Sequence, residues 1–305
     1  MCAEKKELMP IHRYVLHNRE IRDAGERMLS PGQLGLLAGW GVFSTVRVSQ
    51  GVIFAWERHW ARMAKDARLL NVKLPFDPAQ VEQDLMRLVE ANGYPECTMR
   101  VVAVRNSGGF WQGPGTGRDT DLIALTADLN QWNESVRLGI QANARFAANE
   151  FAGAKILSWA QNLTWVERAH DAGLDECVLL NERGSVAECT SANIFAAFGG
   201  TVATPPLSDG CLPGITREVL LECRTVSGIE MVERSLRPDD LYSADEVFIT
   251  STTRDLLPVS EIAGRKLRSN PEARLKLTGY LREFIDADIA ARVGSKAASG
   301  IPTRP

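Results

Sequence analysis

The 305-residue sequence contains few of the features that membrane, metal-binding or disulfide-rich proteins need. Its longest apolar runs, such as residues 194–198, have the length of a strand and are far too short to span a bilayer. The six cysteines form no C-x-x-C pair, and the four histidines do not lie near them at metal-ligand spacing. We therefore expect no metal site, and free thiols in a reducing compartment.

The sequence also lacks an excess of charge of either sign, with 35 Lys and Arg against 38 Asp and Glu. The resulting net charge of −3 gives no electrostatic reason to expect binding to nucleic acid or to an anionic membrane. The first 14 residues contain no apolar core of signal-peptide length, so we expect a cytoplasmic protein. Hydrophobic residues make up 45%, which excludes a mostly disordered chain and indicates one large domain or two modest ones.

Strand and helix patterns alternate along the chain, which favours an α+β fold of mixed α/β order. Runs rich in β-branched residues predict the strands, and apolar residues at helical spacing predict the helices. Strands are predicted at residues 14–16, 20–22, 42–48, 52–55, 99–104, 121–126, 136–141, 176–180, 191–198, 201–204 and 246–251, and helices at 57–70, 75–92, 157–172, 215–225 and 271–290.

A polar break at residues 130–134 predicts a division into two domains. We expect a smaller N-terminal α/β domain over residues 1–128, a linker over 129–135 and a larger domain over 136–293. Residues 294–305 are expected to form a flexible tail.

Two side chains in the second half have the chemistry of a cofactor site. Lys155 lies among small and apolar residues, where burial disfavours the ammonium form and a neutral amine can form a Schiff base. A lysine that lays its stem on apolar surface and keeps its charge in water fits the same pattern. Glu188 is placed to hold a protonated ring nitrogen, although a turn residue would look similar.

Residues 212–217, LPGITR, place a Pro-Gly turn directly before a predicted helix. The unpaired amides of a first helical turn, together with the Thr216 hydroxyl, suit a phosphate group. The alternative is an ordinary N-cap by Thr216. A second hydroxyl cluster, residues 250–253, closes a predicted strand, and Arg62 on the helix at 57–70 is a candidate cationic partner.

The order of these features resembles the class-IV aminotransferases. Lys155 is followed by a helix, a strand with Glu188, the LPGITR turn and the strand DEVFITSTT at residues 245–253. The resemblance extends over about residues 14–259. The family consists of pyridoxal-phosphate enzymes of fold type IV, with two domains and the active site between them. It includes branched-chain and D-amino-acid aminotransferases, (R)-selective amine transaminases and aminodeoxychorismate lyases.

The resemblance implies a role for each matching residue. Lys155 corresponds to the lysine that forms the Schiff base with pyridoxal 5′-phosphate and moves the proton, and Glu188 to the glutamate at the pyridine nitrogen. Leu212 corresponds to the leucine that packs on the ring, and the residues at the LPGITR turn, the hydroxyl cluster and Arg62 to phosphate contacts. The larger domain is then the cofactor-binding one. The implied cofactor-binding residues are Arg62, Lys155, Glu188, Leu212, Gly214, Ile215, Thr216, Ser251 and Thr252.

The resemblance implies an aminotransferase that moves an amino group between an amino acid and a 2-oxo acid, with branched-chain amino acids as candidates. The first strand departs from the V-F-E-G pattern of branched-chain enzymes, because Ser44 stands at the glutamate position and Ala38 at the tyrosine position. Residues 104–109 resemble the aminodeoxychorismate lyases more than the branched-chain aminotransferases. A lyase that produces 4-aminobenzoate, a D-amino-acid aminotransferase and an (R)-amine transaminase therefore stay open.

Four residues are candidates for substrate contact. Arginine binds carboxylates in a bidentate fork, although structural ion pairs are an alternative explanation for both arginines. The candidates are Ser44, Arg100, Arg105 and Thr253.

The family also implies that a loop from a second subunit completes the site. The Gly-rich stretch at residues 107–117, with Phe110 and Trp111, is our candidate for that loop. We therefore expect at least a homodimer whose other partners are small molecules.

Lys155→Ala should abolish multiple turnover, because the variant loses the amine that bonds to the cofactor and carries the proton. Borohydride reduction of the wild-type holoenzyme, followed by peptide mapping, should place the cofactor label on Lys155. A label on a different lysine would overturn the assignment.

Overall fold

The computed structural model describes residues 10–109 and 117–298. The described chain divides into two compact units. The N-terminal unit contains the described residues up to Asn130, together with Lys155–Ser158 and those from Phe284 onward. The C-terminal unit contains Gln131–Ala154 and Trp159–Glu283.

The N-terminal unit is built on a six-stranded antiparallel sheet of order β2-β1-β6-β5-β3-β4. Alternate residues of β3 and β5 face the helices α2 and α3 and form the core of the unit, as the period of two in a strand requires. The elements are β1 (Ile11–His17), β2 (Glu20–Asp23), α1 (Leu34–Ala38), β3 (Gly41–Ser49), β4 (Val52–Ile53), α2 (Trp56–Leu69), α3 (Pro78–Asn92), β5 (Cys97–Arg105) and β6 (Thr120–Ala127).

The C-terminal unit is built on a ten-stranded mixed sheet of order β12-β13-β11-β10-β14-β15-β7-β8-β9, with β16 paired to β15. The elements are β7 (Val136–Arg145), α4 (Ala160–Asp171), β8 (Glu176–Asn181), β9 (Val186–Cys189), β10 (Asn193–Phe198), β11 (Thr201–Thr204), a 3₁₀ turn (Leu207–Asp209), α5 (Ile215–Glu222), β12 (Thr225–Val226), β13 (Ile229–Glu233), α6 (Pro238–Ser243), β14 (Glu246–Ser251), β15 (Asp255–Ile262), β16 (Arg265–Lys266) and α7 (Glu272–Ala298).

The prediction of a mixed α and β fold is confirmed, and the longer predicted elements are all present. Local signals fixed their ends: α3 begins after Asp77, whose side chain accepts the Gln80 N–H, and ends at Gly93 in the left-handed conformation. The helix predicted over 157–172 begins only at Ala160, and the helix predicted over 215–225 ends at Glu222. The short elements α1, β12, β13, β16 and α6 were not predicted, nor was β15. The strand with Glu188, β9, was expected without bounds.

The two units differ from the predicted domains in two places. Lys155–Ser158 and the chain from Phe284 belong to the N-terminal unit, although the sequence predicted one continuous domain over 136–293. The end of α7 joins that unit because Phe284 packs edge-to-face on Phe54 and Asp288 accepts the Ala55 N–H at 2.9 Å. Helix α7 also continues to Ala298, into the stretch predicted as a tail.

Within residues 10–109 and 117–298, no helix is long and apolar enough to cross a bilayer. The cysteines of the same ranges are free thiols, and four of them, Cys97, Cys177, Cys189 and Cys211, are buried. Burial raises the pKa of Cys97 and of Cys211 to about 12, so these two thiols stay protonated at neutral pH.

Candidate active site

Lys155 lies on a short extended segment that pairs with the edge of β3. Its carbonyl accepts the Phe43 N–H at 3.1 Å, and the Leu157 N–H donates to the Gly41 carbonyl at 3.0 Å. The Lys155 N–H donates to the buried Asp66 carboxylate on α2 at 3.0 Å. Backbone hydrogen bonds therefore hold this lysine on both sides, and the pairing with β3 explains why α4 begins later than predicted.

The Lys155 amine lies over the ring of Phe43, with Nζ 4.4 Å from the ring centroid. The guanidinium carbon of Arg100 lies 4.6 Å from the same centroid. Arg100 is opposite Thr45 in the β3–β5 register, so Arg100 and Phe43 share one face of the sheet. Burial lowers the pKa of Arg100. One aromatic ring therefore positions both the predicted catalytic lysine and a predicted substrate arginine.

Ser44, next to Phe43, faces the other side of β3. Its hydroxyl lies 2.8 Å from His59 Nδ1 and accepts a hydrogen bond from Arg62 Nη2 at 2.9 Å. Ser44 and His59 are fully buried, and Arg62 is 8% exposed. Burial, with the nearby cations Arg62, Lys155 and Arg292, holds the pKa of His59 well below its usual range, so the imidazole is neutral.

The buried position of Ser44 argues against its predicted contact with substrate. Arg105 likewise has structural partners, because it donates to the carbonyls of Ser107 at 2.7 Å and Asn71 at 2.9 Å. Its role in carboxylate binding stays a prediction. Phe110 and Trp111 of the predicted subunit loop lie outside the described residues.

Glu188 lies within β9, opposite Leu179, rather than in a turn. Its two carboxylate oxygens have different partners: Arg145 Nε donates to Oε1 at 2.9 Å, and the Leu212 N–H donates to Oε2 at 3.0 Å. Asn162 completes the arrangement, since its Oδ1 accepts from Arg145 Nη2 at 3.2 Å. Each carboxylate oxygen can accept more than one hydrogen bond, so Glu188 retains capacity for a further donor.

No pattern in the sequence connected Arg145 or Asn162 with Glu188. Strand β7 was predicted to end at residue 141, but it extends to Arg145. This extension brings the Arg145 guanidinium to the Glu188 carboxylate. Asn162 lies in the first turn of α4, where its side chain also donates to the Thr190 carbonyl at 2.7 Å.

The start of α5 is as predicted from the Pro-Gly turn, with Gly214 as the N-cap residue. Thr216 is therefore the second residue of the helix, and the alternative that it caps the helix is wrong. Glu218 N–H makes the first intrahelical bond, to the Gly214 carbonyl at 2.9 Å. The amides of residues 215–217 precede that bond, and such amides are available to an anion.

The side chain of Asn193 fixes this turn. Its Nδ2 donates to the Leu212 carbonyl at 2.9 Å, and a Cβ added to Gly214 would lie only 2.1 Å from its Oδ1. The backbone of Leu212 is therefore held by Asn193 at its carbonyl and by Glu188 at its amide.

The hydroxyl cluster at the end of β14 includes Thr250, which was not among the predicted cofactor-binding residues. Thr250 is opposite Asn193 in the β10–β14 register, so its side chain lies on the sheet face that carries the start of α5. Its hydroxyl is buried and has no hydrogen-bond partner among the residues that the structure describes. Ser251, Thr252 and Thr253 follow as half-buried residues, and Trp132 Nε1 donates to the Thr253 carbonyl at 3.0 Å.

The groups within each unit have the chemistry that pyridoxal 5′-phosphate requires. In the C-terminal unit, the fixed Glu188 carboxylate has capacity to accept a hydrogen bond from a protonated ring nitrogen, and the amides at the start of α5, with the unpaired Thr250 hydroxyl on the same sheet face, suit a phosphate. In the N-terminal unit, Lys155 carries a primary amine of the kind that forms a Schiff base.

Gly214→Ala should lower the free energy of unfolding by about 1–3 kcal/mol, because its Cβ must displace the Asn193 side chain. Affinity for pyridoxal 5′-phosphate should fall with it. The matched control is Gly279→Ala on α7, where an added Cβ meets nothing within 4 Å and should stabilise the helix by about 0.5–1 kcal/mol. Denaturant unfolding measures both, and a Gly214→Ala variant as stable as wild type would contradict the role of the close contact.

Comparison with known proteins agrees with this chemistry. The family described as "Amino-transferase class IV" matches residues 41–262. A Methanocaldococcus jannaschii protein named "Putative branched-chain-amino-acid aminotransferase" is 31% identical over 92% of this chain and 97% of its own length. The D-alanine aminotransferase of Bacillus licheniformis is 28% identical, over 84% of this chain and 90% of its own.

Two solved structures are similar over the same share of the molecule. The branched-chain aminotransferase of the archaeon Thermoproteus uzoniensis with norvaline has a TM-score of 0.80 and 25% identity, covering 90% of this chain and 95% of that one. A branched-chain amino acid aminotransferase from T.th., solved with pyridoxamine 5′-phosphate, has a TM-score of 0.81 and 26% identity at the same coverage. The fold is therefore that of the fold type IV enzymes. The chain belongs to the class-IV aminotransferase family and is an aminotransferase that uses pyridoxal 5′-phosphate.

Proposed function

We propose that this enzyme transfers the amino group of an apolar amino acid, with the branched-chain L-amino acids as the preferred class, to a 2-oxo acid. In this proposal Lys155 carries the proton and Glu188 holds the pyridine nitrogen of the cofactor. When bound, pyridoxal 5′-phosphate supplies the electron sink for the charge left at the substrate Cα.

The observation that carries the proposal is the fixed carboxylate of Glu188. It is 8% exposed, and its charge is compensated by Arg145 and by the Leu212 amide. A buried carboxylate without such partners would be strongly destabilising. Glu188 can therefore accept a hydrogen bond from a protonated ring nitrogen and favour that protonated form.

Lys155 is suited to holding and moving a proton at Nζ. Its backbone is fixed by Phe43 and Asp66, which restricts the amine to the region over the Phe43 ring. An aromatic face attracts an ammonium group. The Asp66 carboxylate also acts electrostatically on Lys155. The position of the amine is thus set by the strand pairing.

We assign the phosphate to the start of α5 and to Arg62. Gly214 has no Cβ and so leaves room for the Asn193 side chain. The amides of Ile215 and Thr216 lie in the first turn of α5, where amides have no intrahelical hydrogen-bond partner. Ser251 and Thr252 follow Thr250, whose buried hydroxyl supports an anion site on that face of the sheet. Leu212 is the residue proposed to pack on the ring.

The substrate class is supported by the residues that share a sheet face with the lysine. Phe43 is opposite Val102, and both offer apolar contact to a substrate side chain near Lys155. Arg100, over the same ring, offers a cation to a substrate carboxylate. The names of the Methanocaldococcus jannaschii and Thermoproteus uzoniensis proteins also favour branched-chain substrates.

We also propose at least a homodimer, which sedimentation of the purified enzyme tests. A cytoplasmic location is supported by the free thiols of the described cysteines, since disulfides are rare in that compartment. Cell fractionation tests the location.

Glu188→Gln should lower kcat by roughly a hundredfold to a thousandfold, because a neutral amide no longer favours the protonated ring. Glu230→Gln, an exposed glutamate of the same unit, is the control and should leave kcat unchanged. Both are measured by steady-state kinetics on cofactor-saturated enzyme. Wild-type turnover in Glu188→Gln would reject the role of this carboxylate.

A donor screen tests the substrate class. L-Valine, L-leucine and L-isoleucine should give the highest kcat/KM with 2-oxoglutarate or pyruvate as acceptor, above D-alanine and (R)-1-phenylethylamine. A preference for D-alanine would replace the proposal with D-amino-acid transfer. Release of 4-aminobenzoate from aminodeoxychorismate, without amino transfer, would assign the enzyme to the lyase branch.

A further inference from the structure

Ser44, His59 and Arg62 form a buried hydrogen-bonded group within the N-terminal unit. Ser44 lies in the middle of β3, and the other two lie on α2, three residues apart. The Ser44 hydroxyl is the common partner, 2.8 Å from His59 Nδ1 and 2.9 Å from Arg62 Nη2. A strand residue therefore holds two side chains of the helix that packs on it.

The chemistry of this group fixes the direction of one of its two hydrogen bonds. A guanidinium only donates, so the Ser44 oxygen accepts from Arg62. The neutral imidazole of His59 either accepts the Ser44 hydroxyl proton at Nδ1 or donates an Nδ1 proton to the second lone pair of the Ser44 oxygen. In both cases Ser44 is the partner of Arg62 and of His59.

Resting on the proposed function, in which Arg62 contacts the cofactor phosphate, we propose that Ser44, backed by His59, is a positioning residue that orients the Arg62 guanidinium for that phosphate. An unrestrained arginine side chain samples many rotamers, and ordering it has an entropic cost. The Ser44 hydroxyl fixes Nη2 in advance, because the hydroxyl is fully buried within a paired strand. Binding of the phosphate then costs less conformational entropy of the Arg62 side chain.

Neither Ser44 nor His59 brings a negative charge to Arg62. The carboxylate of Asp66, four residues along α2, acts electrostatically on Arg62. The Ser44 hydroxyl therefore orients the guanidinium without adding a further anion beside it.

The test compares two cofactor forms that differ only in the phosphate. Apoenzyme is titrated with pyridoxal 5′-phosphate and with pyridoxal, and the ratio of the two Kd values is determined. Ser44→Ala should weaken pyridoxal 5′-phosphate about tenfold, equivalent to about 1.4 kcal/mol, and leave pyridoxal nearly unchanged. A merely structural role would lower thermal stability without changing this ratio.

Two further variants make the result specific. Ser44→Cys fills the same space with a poor hydrogen-bond acceptor and should give the same phosphate-specific loss even where Ser44→Ala folds badly. Ser49→Ala, the same substitution at the end of β3, is the matched control and should leave the ratio unchanged.

A double-mutant cycle with Arg62→Met separates this inference from the proposed function. Arg62→Met should weaken pyridoxal 5′-phosphate more than Ser44→Ala does, and the double variant should be no weaker than Arg62→Met alone. An Arg62→Met variant with wild-type affinity would overturn the phosphate role of Arg62 and the inference with it. A large loss in Arg62→Met together with additive, or phosphate-independent, effects of Ser44→Ala would overturn the positioning role only.

Discussion

The burial of one carboxylate, that of Glu188, sets constraints across much of the C-terminal unit. A buried anion needs a cation and hydrogen-bond donors, and here they come from Arg145 at the end of β7 and from the Leu212 amide before α5. The Leu212 carbonyl is held in turn by Asn193, whose side chain leaves no room for a Cβ at Gly214. Three segments distant in sequence are thus fixed around one group.

The N-terminal unit shows how one strand serves two purposes. Successive residues of β3 point to opposite faces, so Phe43 and Ser44 meet different surroundings although they are neighbours in sequence. On one face the Phe43 ring carries the Lys155 amine and Arg100. On the other face, the Ser44 hydroxyl forms hydrogen bonds with the side chains of His59 and Arg62 on α2. A shift of one residue in the register of β3 would exchange the two sets of contacts.

Much of the fold could be predicted from the sequence because helical and strand periods persist over eight or more residues in elements such as α2 and β5. The start of α5 was predicted for a local reason, since Pro213 and Gly214 define the turn. Elements of two to six residues, such as β12 and α6, carry too few residues for a period to show.

The contacts that were missed depend on residues that only the fold brings together. Arg145 and Glu188 are separated by 43 positions, and no spacing rule connects them. The extended segment at Lys155 needs the edge of β3 as a partner, so its apolar residue Leu157 was assigned to the helix predicted over 157–172. Ser44 was placed at the substrate because the resemblance locates the strand there, whereas its side of the strand depends on the register with β5.

The segment Lys155–Ser158 has a consequence for synthesis of the chain. It belongs to the N-terminal unit, yet residues of the C-terminal unit precede and follow it. When a ribosome has made the residues up to Asn130, the edge of β3 still lacks this segment, and the part of α7 that covers Phe54 comes only with the residues from Phe284 onward. Domains usually fold in order as they emerge, but this unit stays incomplete until that part of α7 has also been made. An open strand edge attracts other chains during that interval, so a gene cut after Asn130 would yield a fragment prone to aggregate.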